Sequence, residues 1–182
     1  MESIYKEYNH NPSHLFSPNS KYFITGATYK KKMWFKNNKA KEQLLKSIII
    51  GFDKHGWLLE DWVILKNYYH LLGNAPDDSS NLPEMMQEIH KFVALWIKKN
   101  IPESGSSEKI MYNYWDTCIT YEASYFARLN YIWNNPVKHG YTNNAEEWIF
   151  GSYFKKAEKD KEALYKIMKK YPCDTVKIKD DF

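Results

Sequence analysis

The nineteen residues WLLEDWVILKNYYHLLGNA, positions 57–75, constrain the fold more than any other stretch. Two β-rich runs, 57–66 and 68–75, meet at a short Lys66-Asn67 break, which predicts an antiparallel hairpin. In a strand, residues i and i+2 share a face. Tyr68 and His70 therefore project together, while Tyr69 and Leu71 point the other way. A titratable pair in an otherwise apolar hairpin is a chemical feature as well as a structural one.

The flanking elements follow from periodicity. YFITGATY (22–29) is a β-rich run that leads into the basic Lys30-Lys31-Lys32. From Asn38, Leu44, Leu45, Ile48, Ile49 and Phe52 recur at helical spacing until Gly56 stops them. After the hairpin and a polar loop, Pro83 sits at a first helical position. The stripe Met85, Met86, Ile89, Phe92, Val93, Trp96 and Ile97 is then expected to face a core. KIMYNYWDTCI (109–119) reads as a strand and YEASYFARLNYIWNN (121–135) as a helix closed at Asn135-Pro136, since the residue before proline disfavours helical geometry. A lysine-rich amphipathic helix spans 155–171. The order β-α-β-β-α-β-α is that of an α+β, ferredoxin-like βαββαβ sheet with helices on one face and an appended C-terminal helix. Residues 1–20 read as an irregular arm, and 155–182 as the appended helix with a tail.

Composition narrows the partners without naming one. The 182 residues suit one compact domain, with a formal charge of +4 and 17% aromatic residues. Of 26 basic residues only Arg128 is an arginine. Lysines beside exposed rings suit single-stranded nucleic acid, and the same rings equally suit a core; composition leaves both open. Cys118 and Cys173 lie far apart in no metal spacing, which excludes a disulfide framework and fits a reducing compartment. No apolar run approaches a membrane span, and the first residues hold no secretory core. A cytoplasmic protein is expected.

A second chemical feature is YIWNNPVKHGY, residues 131–141. Tyr131 and Asn135, four apart on a helix, share a face. A phenol oxygen can attack a phosphodiester, and an amide oxygen one turn later can hold a cation or a substrate. Equally, Tyr131 can pack and Asn135 can cap the helix, just as His70 can be a hydrogen-bonded core residue.

The ordered set YFITGATY, WVILKNYYHLLG, YWDTCITYEASYFARLNYIWNNPVKHGYT and EEWIFGSY resembles the REP-associated tyrosine transposases, of the single-tyrosine HUH transposase superfamily, over roughly residues 20–154. Its most specific pieces are NPVKHG followed by Trp148 and Gly151-Ser152-Tyr153, and the apolar run into Asn67-x-x-His70-Leu71-Leu72. The resemblance implies the βαββαβ fold and a catalytic domain over 21–154. It implies nicking and rejoining of single-stranded DNA at a hairpin through a 5′-phosphotyrosine, with Tyr131 as nucleophile. It places a divalent ion, Mg²⁺ or Mn²⁺, on the two-histidine motif, whose second position is His70 and whose first is Tyr68, completed by Asn135. Lys30, Lys31, Lys32, Asn67 and Lys138 become the residues that would contact DNA.

Four positions depart from the family pattern: Tyr68 replaces a histidine, Lys66 replaces a proline, and Asp116-Thr117-Cys118-Ile119-Thr120 stands where Asp-His-x-Ile-Arg is usual, without its histidine and arginine. Two functions follow from that balance, an active metal-dependent transposase or a catalytically inactive DNA-hairpin-binding protein of the same fold. Both monomers and homodimers occur in the wider superfamily, and the sequence leaves that choice open.

Overall fold

The computed structural model describes residues 5–6, 14–15, 17–174 and 176. The expected arm over 1–20 and the tail beyond 176 lie largely outside those residues. Apart from a two-residue ladder pairing Tyr5–Lys6 with His14–Leu15, the chain runs β1 (Lys21–Thr28), α1 (Asn38–Lys54), β2 (Leu58–Ile64), β3 (Tyr68–Asn74), α2 (Leu82–Asn100), β4 (Met111–Ile119), α3 (Glu122–Lys138) and α4 (Ser152–Lys170). The four long strands form one antiparallel sheet in the order β2-β3-β1-β4. This is the expected ferredoxin-like arrangement, and the hairpin over 57–75 is its β2–β3 pair.

Alternation along the central strands sorts side chains to two faces. Tyr22 and Ile24 of β1 and Tyr69 and Leu71 of β3 face α1 and α2, where Leu44, Ile48, Ile89 and Val93 complete a core. Phe23, Ala27, Tyr68 and Leu72 face the other way, against Leu129, Tyr131, Ile132 and Trp133 of α3 and Tyr153 of α4. Helices α1 and α2 thus share one face, as expected, and the C-terminal pair covers the other. Each large aliphatic chain sealed in these layers contributes about 1.5–3 kcal/mol.

Local chemistry sets the helix ends. Asn37 accepts a hydrogen bond from the Lys39 amide at 2.9 Å and caps α1. At its other end Gly56, with φ 73°, donates to Asp53 O, and Trp57 donates to Phe52 O. Helix α3 ends the same way. Gly140, φ 67°, donates to Val137 O, and Tyr141 donates to Pro136 O. These paired bonds are the Schellman motif.

Two expectations need correction. Helix α3 does not close at Asn135-Pro136 but runs through Pro136 to Lys138. Pro136 forfeits only the bond to Ile132 O, and it is buried, so packing and the Gly140 cap outweigh its local penalty. Phe92 is not core: it is 53% exposed, because Met85, Met86, Ile89, Val93 and Ile97 already fill the face of α2 that meets the sheet and α1.

One irregularity matters below. Gly26 pairs with Tyr114, but Thr28 pairs with Met111, so β4 carries one extra residue opposite Ala27. This β-bulge brings Tyr112 to the face of the sheet that also carries Trp115. Among the described residues no helix is long and apolar enough to cross a membrane.

Candidate functional site

Strand β3 and helix α3 bring the two chemical features of the sequence together. His70, fully buried, lies with its ring centroid 5.4 Å from that of Tyr131 and 5.2 Å from that of Tyr68. Tyr68 Oη donates to Asn135 Oδ1 at 3.0 Å. Lys138, one turn beyond Asn135, donates to Tyr131 Oη at 3.4 Å and holds its ammonium 4.6 Å from that ring's centroid. Phe23 packs edge-on against Tyr131 from below.

The four side chains converge because each element has the right period. Tyr68 and His70 are i and i+2 on β3, and Tyr131 and Asn135 are i and i+4 on α3. A buried carboxylate fixes α3 and α4 on the sheet: Asp61 accepts from Trp133 Nε1 at 2.8 Å, from Ser152 Oγ at 2.7 Å and from the half-exposed Lys156 Nζ at 2.5 Å. Asp61 is on β2, so strand, α3 and α4 share one carboxylate.

Burial sets the protonation of the histidine. Desolvation, aided by the nearby His139 and Lys138, lowers the His70 pKa to about 3, so the ring is neutral at physiological pH. His139 is itself lowered by burial and by Lys138. His70 Nδ1 and Thr25 Oγ1 share a hydrogen bond of 2.8 Å, which fixes the ring plane.

Tyr131 is only 2% exposed, yet it lines a cleft of about 390 Å³ with Asn134, Val137, Lys138, Cys173, Asp174 and Val176. The segment after α4 forms one wall of this cleft. Asn130, on α3, holds that segment by donating to Met168 O and Tyr171 O at 2.9 and 2.7 Å.

The donors here do not fit a hard divalent ion. They are one neutral imidazole, one neutral phenol and one amide oxygen that already accepts the phenol's proton. None carries charge, whereas Mg²⁺ and Mn²⁺ favour carboxylate-rich oxygen shells. Among the described residues no cluster of three or more His, Cys, Asp or Glu side chains could supply one.

The other expected residues border this cluster. Asn67 forms the β2–β3 turn, and its carbonyl accepts from the Thr28 amide at 2.8 Å. Lys30 and Lys31 are exposed on the turn after β1, and Lys32 is ion-paired with Glu108. None of the three reaches Tyr131. Three neighbours were not singled out in advance: Thr25, His139 and Arg128, whose guanidinium lies 6.0 Å over Phe23. A polar Thr25 on the otherwise apolar Phe23–Ala27 face was the available signal for the first.

No protein-family model matches the chain. It is 24% identical over 140 residues to a REP-associated tyrosine transposase of Escherichia coli (strain K12), covering 73% of this chain and 80% of that protein. Its fold is similar to a solved structure of a REP-associated tyrosine transposase bound to a REP hairpin, with a TM-score of 0.70, 20% identity and 89% of each chain covered.

Proposed function

We propose that this chain, a relative of the REP-associated tyrosine transposases by sequence and by fold, binds a DNA hairpin with a flanking single strand and presents a backbone phosphate to Tyr131. The observation that carries this reading is the placement of Tyr131 on a cleft beside Lys138, with His70 packed against its ring.

The chemistry is a phosphodiester exchange. Tyr131 Oη attacks phosphorus, a 5′-phosphotyrosyl bond forms, and the bond to the 3′-oxygen breaks, which leaves as a hydroxyl carrying the proton lost by the phenol. A later 3′-hydroxyl reverses the step on another strand, so no external energy source is consumed. Lys138 puts positive charge where the attacked phosphate's oxygens would lie. His70, buried behind the nucleophile, packs on the Tyr131 ring and positions it, and Asn135, one turn on, ties α3 to β3 through Tyr68. Lys30, Lys31 and Asn67 border the same end of the sheet and serve backbone contacts. Because the donor set does not fit a divalent ion, no step here runs through one.

A second reading is favoured by one specific contact, the Tyr68–Asn135 hydrogen bond. It closes the space between β3 and α3 and leaves a protein that binds the hairpin without cutting it.

The two are separated by incubating a tailed hairpin oligonucleotide with the protein, in Mn²⁺, in Mg²⁺ and in chelator. Exchange through Tyr131 gives a covalent protein–DNA adduct that survives chelation and vanishes in Tyr131→Phe. The non-cutting reading gives tight binding and no adduct, with an adduct gained in Mn²⁺ by Tyr68→His. Absence of any binding would sink both.

A further inference from the structure

The bulge in β4 builds a surface that the exchange chemistry does not use. Regular alternation would send Tyr112 to the α1/α2 side with Tyr114; the extra residue instead sets it beside Trp115, rings 5.5 Å apart and 29° from parallel. Tyr29, just past β1, stacks on Tyr112 at 6.1 Å and 24°. Three rings thus form one ladder. Lys109 Nζ stands 5.1 Å from the Tyr29 centroid and 5.4 Å from that of Tyr112, and Lys30 Nζ stands 5.6 Å from that of Tyr29. Both lysines are exposed, and Tyr112 is 41% exposed.

The ladder adjoins the candidate site. Trp115 pairs with Thr25, and Thr25 pairs with His70, so these three lie in one row across β4, β1 and β3 on the same face. Strand spacing puts the ladder roughly 10 Å from the histidine. Thr117, on the same face of β4, is exposed. The turn presenting Lys30 holds two successive lysines in left-handed geometry, Lys30 at φ 53° and Lys31 at φ 56°. Non-glycine residues adopt that conformation only when the surroundings enforce it.

We propose that Tyr29, Tyr112 and Trp115 form a stacking track for unpaired bases of the DNA strand entering the site, with Lys30 and Lys109 neutralising its phosphates. The inference rests on the hairpin-binding reading and adds where the single strand runs. A row of rings, Tyr112 exposed and Tyr29 and Trp115 half-buried, interleaved with cations suits single-stranded DNA, because every base has a face to stack and every linkage carries a charge. A duplex would offer the phosphates but not the faces. A lysine over an exposed ring is held more weakly than a base stacked on it, so an arriving base displaces Lys109 toward a phosphate.

The test compares a hairpin carrying an oligothymidine extension with the same hairpin cut flush, titrated against the unaltered protein, Tyr112→Ala and Tyr112→Phe. Circular dichroism confirms that each variant is folded. The unaltered protein prefers the tailed hairpin, and its tryptophan fluorescence is quenched as the tail binds, by less in Trp115→Phe. Tyr112→Ala weakens binding of the tailed hairpin by roughly 5- to 150-fold, and Tyr112→Phe, which keeps the ring, restores it. Equal affinity of Tyr112→Ala and the unaltered protein for the tailed hairpin would overturn the track, as would equal losses in the two variants. Equal binding of both hairpins by the unaltered protein overturns the track and leaves hairpin binding standing. Binding of neither removes the reading beneath it.

Discussion

Each face of the central sheet holds a tyrosine–histidine pair. Toward α1 and α2, Tyr69 Oη and His90 Nε2 share a hydrogen bond of 2.7 Å. Toward α3, Tyr68 and Tyr131 flank His70. Adjacent residues of one strand thus feed two similar clusters, and their settings differ. The Tyr69 ring lies on Gly26, where an added Cβ would stand 2.3 Å from Tyr69 Cζ, and apolar side chains surround it. Tyr131 opens on a cleft with an ammonium at its hydroxyl. The same residue types stabilise a core on one side and, in the function proposed above, serve a phosphate on the other. What separates them is access and charge, not identity.

Four measurements break or sharpen that contrast. Removing the carboxylate that pins the α3/α4 layer should have the largest effect. Asp61→Ala leaves the buried Trp133 Nε1 without its acceptor and Ser152 Oγ and Lys156 Nζ with only the carbonyls of Trp62 and Glu60, and is expected to lower unfolding free energy in urea by about 3–4 kcal/mol. Next, Gly26→Ala forces the Tyr69 ring aside, with an expected loss of about 1–3 kcal/mol in the same assay. A neutral result would mean the α1/α2 face is as loose as the cleft.

Acid tests both clusters at once. His70, with a pKa lowered to about 3, and His90, lowered to about 4, stay neutral when folded but take up protons near the ordinary 6.5 when unfolded. The unfolded chain therefore binds more protons between those values, and stability falls as pH drops below about 6.5. The slope is up to about 1.4 kcal/mol per pH unit for each histidine. Urea midpoints across that range check it, and His90→Gln should reduce the slope. The smallest effect on stability is expected from Tyr131→Phe, at under about 1 kcal/mol, since its hydroxyl makes only a long contact to Lys138. A loss matching Gly26→Ala would make Tyr131 a core residue like Tyr69 and dissolve the contrast.

The helix ends show what was legible in the sequence and what was not. Both α1 and α3 finish on a His-Gly pair, His55-Gly56 and His139-Gly140, with the same bonding. The first reads as a stop; the second is masked by Pro136, whose local penalty a buried position overrides. The pairing of Tyr68 with His70 and of Tyr131 with Asn135 followed from strand and helix period. Their meeting did not, since no local rule joins positions sixty residues apart in the chain; the family resemblance supplied it. The Tyr68–Asn135 bond was beyond both, because it depends on how closely α3 approaches β3. The ladder was hidden for a different reason: alternation along 109–119 assigns Tyr112 to the wrong face unless the extra residue is seen.

That surplus residue makes strand length a determinant of surface chemistry. Shortening β4 by one position between Met111 and Tyr114 would reset its parity, exchanging which of its rings meets water while leaving composition almost untouched. Two such chains differing by a single insertion would offer nucleic acid quite different exteriors, a change that no substitution at one site reproduces.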